Sequence, residues 1–147
     1  MSSVNQVLNT GQQSITNYET SKTFIFGNRY ATADYTNGGG APVTIAEGTL
    51  LGRISATQKL LPLASAASDG SQFPVGIAKE DTIVAAGATV KITYCVEGDV
   101  DESKVILNGS DTLNTVISGR SIRDRIASDT VGIRLIQSTE MTAYDNQ

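Results

Sequence analysis

The stretch "ATVKITYCVEGDV", residues 88 to 100, constrains this chain more than any other. Val90, Ile92, Tyr94 and Val96 alternate with Lys91, Thr93, Cys95 and Glu97. A period of two sends the first set toward a core and the second toward solvent or a neighbouring strand. Such a strand needs partners, and the rest of the chain offers many brief apolar runs separated by turn residues. Its fourteen glycines suit tight turns between short strands. The expected fold is therefore mainly β with short helices, a compact domain of the barrel or sandwich kind.

The other elements follow from local pattern. Phe24 to Phe26 is a short apolar run that leads to Tyr30 and Tyr35, and Asn37-Gly38-Gly39-Gly40 breaks it. Val43 to Ile45 and Thr49 to Ile54 read as two strands joined by a tight turn at Glu47-Gly48. Ala64 to Ala67 is a candidate helical turn that Asp69-Gly70 stops. Phe73 to Ala78 reads as a strand that Pro74 keeps from a central position. Ala85-Ala86-Gly87-Ala88 is a turn. Val105 to Leu107 is a strand or helical fragment before an Asn108-Gly109 turn. Asp111 is placed as the cap of a helix through Ile117. Ser121 opens another, with Ile122 and Ile126 on one face. Val131, Ile133 and Leu135 alternate along a last strand.

Residues 1 to 22 are rich in Asn, Gln, Ser and Thr without a sustained period. They are expected to be a flexible N-terminal arm, with residues 23 to 147 forming a single β-rich domain. That N-terminal stretch has neither the basic nor the apolar region of an export signal, and no run approaches 18 apolar residues. No membrane partner is expected.

Charge and chemistry narrow the function. Fifteen acidic against eleven basic residues give a net charge of −4, and the basic residues form no stripe for phosphates, which argues against direct nucleic-acid binding. Histidine is absent, which removes the usual general base near neutrality. Cys95 is the sole cysteine; it forms no internal disulfide, and nothing in the sequence gives it a lowered pKa. Asp99, Asp101 and Ser103 imitate the start of a calcium loop, but Lys104 and Ser110 stand where glycine and glutamate belong. Asn108-Gly109-Ser110 satisfies a glycosylation pattern and reads better as a turn. Gly38-Gly39-Gly40 lacks the Lys and Ser/Thr of a phosphate loop. Asp69-Gly70 suits an Asx turn, with Gly70 taking the torsion that bulkier residues avoid. No catalytic residue, cofactor or metal site is expected.

Taken in order, "GTLLGRI", "KLLPLASAASDGSQFPVGIAKED", "AAGATVKITYCVEGDVDESKV" and "VGIRLIQS" resemble the head decoration proteins of tailed bacteriophages, the family of the phage lambda decoration protein D. The resemblance runs over about residues 42 to 138. It implies a β-rich structural protein of the virion, made in the host cytoplasm. Such a protein binds the outer surface of the capsid shell as a homotrimer on local threefold sites and stabilises it, with major capsid protein and itself as partners. Gly48, Leu51, Gly52, Pro62, Asp69, Gly70, Val75, Gly76, Ile77, Gly98 and Val100 match structural positions of the family, and Gly48, Gly52, Asp69, Gly70, Gly76 and Gly98 are taken as turn residues. Gly132-Ile133-Arg134 matches its closing strand. Aromatic residues supply most contact energy in a polar segment, so Tyr18, Phe24 and Phe26 are the candidate capsid-binding residues. Alternative readings are a fibre-attachment or tail-associated β domain of the virion, or a small hydrolase pairing Asp69 with Glu47, Asp99 or Glu102.

Overall fold

The computed structural model describes residues 22–137. In chain order these form strands β1 (Phe24–Thr36), β2 (Val43–Ile45), β3 (Leu50–Arg53), β4 (Leu60–Pro62), β5 (Pro74–Ala78), β6 (Thr82–Val84) and β7 (Thr89–Asp101). A 3-10 turn (Glu102–Lys104), β8 (Val116–Ile117), β9 (Arg120–Ser121), helix α1 (Ile122–Asp129) and β10 (Gly132–Ile136) follow. The fold is mainly β.

The main sheet has the order β1-β7-β5-β3-β4, with β10 added in parallel to the C-terminal part of β7. Ladders from β1, β5 and β10 all converge on β7, which makes it the spine. The sheet does not close into a barrel, since its order begins at β1 and ends at β4. β2 with β6 forms a separate two-stranded ribbon, and β8 with β9 forms a hairpin.

Neighbours in sequence divide between two cores. Leu50, Ile77 and Cys95 join one cluster with Val100, Ile117, Ile122, Ile126 and Ile133. Leu51, Ala78 and Tyr94 join the other with Tyr35, Ile45, Leu60, Val84 and Ile92. Successive residues of a strand point to opposite faces, so β3, β5 and β7 lie between these clusters. Each fully buried Leu or Ile contributes about 1.5–3 kcal/mol.

Two covered faces explain several departures from the expected pattern. Cys95, expected toward solvent or a neighbour, is fully buried, because α1 and the hairpin cover that face. Pro74 does not keep its strand from the interior. β5 lies between β7 and β3, and proline is tolerated as its first residue. β2 and β3 do not form a hairpin: β2 pairs with β6, and β3 with β4 and β5. The aromatic stretch after Phe26 continues as one strand to Thr36.

Of two helical expectations, one turn forms and polar competition overrides the other. Ala64 to Ala67 makes one turn, closed by a hydrogen bond from Ala67 N to Ala64 O. Asp111 caps no helix, because its carboxylate accepts from both Ser65 N and Ser65 Oγ. Residues 116–121 form the β8–β9 hairpin, with Ser118 and Gly119 at positive φ, as a two-residue primed turn requires. Val105 to Leu107 contributes a single bridge between Ile106 and Thr49. The Ser121 helix start is as expected: its side chain accepts from Asp124 N, and Ile122 and Ile126 are fully buried. In the last strand Ile133 is buried, whereas Val131 lies before β10 and is exposed.

Candidate docking surface

Of the three aromatic candidates, Tyr18 lies outside the described residues. Phe24 and Phe26 belong to the domain, both paired within β1 against β7, although their chemical situations differ. Phe24 packs against the first core cluster and meets Tyr30 edge to face, with ring centroids 5.8 Å apart. Phe26 is 76% exposed.

Register explains the difference. Phe24 pairs with Val100 and Phe26 with Asp99, so two steps on β1 match one step on β7. That bulge at Ile25 inverts the facing of the following residue. Across the three strands Leu135, Val100 and Phe24 form one row and Arg134, Asp99 and Phe26 the next. The first row belongs to the core. In the second, Arg134 Nε and Nη2 each donate to an Asp99 carboxylate oxygen at 3.0 Å. Two rows further along, Arg29 and Glu97 face each other, 4.0 Å apart. The outward face is thus one phenyl ring framed by ion pairs. An exposed aromatic beside arginines is the composition of a protein-binding hot spot.

Asp101 closes this end of β7. Its N–H donates to Thr23 O, and its buried carboxylate accepts from Ser103 N and Ser103 Oγ. Nearby, Arg123 donates to both oxygens of Glu102, and that hydrogen bonding holds the Glu102 carboxyl below the ordinary range. Asp99 is thus engaged by Arg134, while Asp101 and Ser103 engage each other, and among the described residues no group of three His, Cys, Asp or Glu side chains is placed to hold a metal.

The residues considered for acid chemistry also have separate partners. Glu47 accepts from Thr23 Oγ1, while Asp69 accepts from Ser71 N and Ser71 Oγ. The Ser71 bonds lower the Asp69 pKa, which makes Asp69 a turn anchor. Burial pushes the Cys95 thiol up, away from the reactive thiolate.

Three of the presumed turn glycines lie inside strands: Gly52 in β3, Gly76 in β5 and Gly98 in β7. At Gly52 and Gly76 the cause is close approach, since an added Cβ would stand 2.0 Å from Ser71 O and 2.4 Å from Cys95 O. Gly98 combines a φ of +112° with backbone contact to Asn28. Gly48 and Gly70, at φ +92° and +105°, do lie between strands. These local crowding requirements leave only the glycine itself in the sequence.

The sheet is open, glycines permit its close approaches, and an aromatic ring stands exposed on it. Residues 26–115 match the family model of the bacteriophage lambda head decoration protein D. The chain belongs to this family. Its role is accordingly a structural one at the phage capsid. Among curated proteins no match is found. The matched region begins within β1 and ends before β8, so it reaches further toward the N-terminus than the expected 42 to 138. Gly132-Ile133-Arg134, the expected closing strand, lies beyond it.

Proposed function

We propose that the chain binds the outer surface of the capsid shell as a homotrimer on local threefold sites and stabilises it, with residues 1–22 acting as an arm against major capsid protein and residues 23–147 as the domain. Within this reading Tyr18 and Phe26 contact the capsid, while Phe24 supports them from the core side. The protein acts on the virion exterior and needs no catalytic group.

The observation that carries this proposal is the outer edge of β1. Among the described residues β1, a strand of 13 residues, forms a backbone ladder with β7 alone, and β4 approaches part of its length. Long unpaired edges recruit a further strand, and this one continues directly into residues 1–21. Several copies on a rigid shell convert a weak single contact into persistent attachment.

Cosedimentation with expanded, undecorated heads tests the proposal, using the full chain and a version beginning at Thr23. Saturable binding that weakens on truncation is expected. Absence of binding to bare, expanded heads, with binding to tail or fibre protein instead, overturns it. Sedimentation equilibrium of the free protein and the stoichiometry at saturation test the trimer.

A further inference from the structure

Arg53 is a half-buried charge that the domain leaves without a counter-ion. The ion pairs of the described residues engage Arg29, Lys91, Arg123, Arg125 and Arg134, and Arg53 belongs to none of them. It ends β3 opposite Leu60 of β4, and directly opposed residues share one face of a sheet. Leu60 is a fully buried member of the second core, so the Arg53 side chain runs along that core and is only partly exposed. An arginine drawn toward a core without a carboxylate costs stability unless another group balances it.

The groups gathered there are donors. Arg53 Nη2 donates to the Tyr94 hydroxyl oxygen, and the guanidinium carbon stands 6.0 Å from the centroid of the Tyr94 ring. Nε is enclosed with no acceptor, the one side-chain nitrogen or oxygen so placed among the described residues. Nη1 makes no bond within the described domain and is not enclosed. A guanidinium has five N–H donors and no acceptor, and a phenol that accepts from it keeps its own O–H to donate. Tyr94 lies on β7 and Arg53 on β3, with β5 between them. The ring reaches across because β5 carries Gly76, where an added Cβ would stand 2.4 Å from Tyr94 Cδ2.

We propose that Arg53 and Tyr94 form a site for a small oxyanion, a carboxylate or a phosphate, which accepts from Nη1, from the second Nη2 hydrogen and from the Tyr94 O–H, and which supplies the missing counter-charge. Guanidinium holds both kinds of oxyanion through charge-assisted, parallel N–H bonds. Tyr94 is only 4% exposed, so the ligand presents an oxygen edge and keeps its remainder in solvent. Bound there, the anion links β3 to β7 across β5 and stabilises the second core, independently of attachment to the capsid.

The test is thermal melting of the full chain in phosphate and, separately, in acetate, each exchanged for chloride at constant ionic strength, for the parent, Arg53→Met and Tyr94→Phe. A ligand that binds only the folded state raises the Tm, by roughly 5 °C at about ten times its Kd for a domain of this size. The parent should show such a rise with one anion or both, and the anion that gives it identifies the ligand class. Arg53→Met should abolish the rise, and Tyr94→Phe should weaken binding about tenfold. Phosphate also stabilises proteins generally by exclusion from their surface, so an equal rise in all three chains overturns the proposal, as does no rise with either anion. Tyr94→Phe binding as tightly as the parent removes Tyr94 from the site. A nitrogen–proton correlation spectrum of the parent needs no variant to fold: the Arg53 Nε–H signal should shift saturably with the anion while that of exposed Arg120 stays in place, and an unmoved Arg53 signal overturns the proposal.

Discussion

Phe24 and Phe26 are two positions apart on one strand and face opposite sides of it, because a bulge at Ile25 matches two steps of β1 to one step of β7. The consequence is a separation of stability from recognition. Phe24→Ala should destabilise the domain by roughly 2 kcal/mol, below the range for a fully buried phenylalanine because the ring is only partly covered. Phe26→Ala should stay within about 0.5 kcal/mol of the parent. Urea denaturation of both variants measures the contrast, and equal losses would contradict the assigned facings.

This pair also shows where sequence pattern stops being informative. Alternation along residues 90 to 96 identified β7, and the Ser121 cap with Ile122 and Ile126 identified α1, because both signals are local. The inversion at Phe26 depends on pairing with a strand more than seventy residues away, and nothing in "TFIFGN" marks it. The mistaken β2–β3 hairpin has the same origin, since strands were recognisable and their partners were not. Cys95 looked like a solvent-side residue because its face is covered by α1, a distant element. The candidate docking surface is half visible in the sequence: Phe26 stands out, whereas Arg29, Asp99 and Arg134 join it only through register.

Gly52 provides a sharper test of packing. An added Cβ would lie 2.0 Å from Ser71 O, and the colliding atom is backbone, so relief requires moving β3 away from the loop that Asp69 anchors. Gly52→Ala should cost about 3 kcal/mol or prevent folding, in line with severe overpacking. Gly40→Ala meets no atom within 4 Å and should leave stability within about 0.5 kcal/mol. Thermal melts of the two variants decide this, and a benign Gly52→Ala would mean that the strand and loop are farther apart.

The Glu102–Arg123 pair predicts the direction of an acid effect. Hydrogen bonding from Arg123 lowers the Glu102 pKa in the folded state, so below the ordinary glutamate value the unfolded chain takes up a proton that the folded chain resists. The pair's contribution is therefore complete above about pH 5 and is lost as pH falls through the folded pKa. Arg123→Gln should flatten the acid limb of the stability profile and leave a smaller difference between pH 7 and pH 3. Denaturant midpoints across that range, parent against variant, measure it. An unchanged acid limb would show that the pair contributes nothing to the linkage.

Cys95 sits in the first core, where labelling can report on the packing around it. The thiol is fully buried, donates to Glu97 O at 3.1 Å and is pushed up in pKa by desolvation. Reaction needs an exposed thiolate, and here exposure requires α1 and β10 to move off the first core face. A disulfide reagent should therefore modify the native protein at least about a hundredfold more slowly than the unfolded chain, at a rate set by the population of opened molecules. Ile126→Ala leaves the thiol and its hydrogen bond in place while removing core contacts beside it, and it should accelerate native labelling. Rapid labelling of the parent would mean that this face opens readily, whereas an accelerated variant would identify α1 as the element whose packing keeps Cys95 closed.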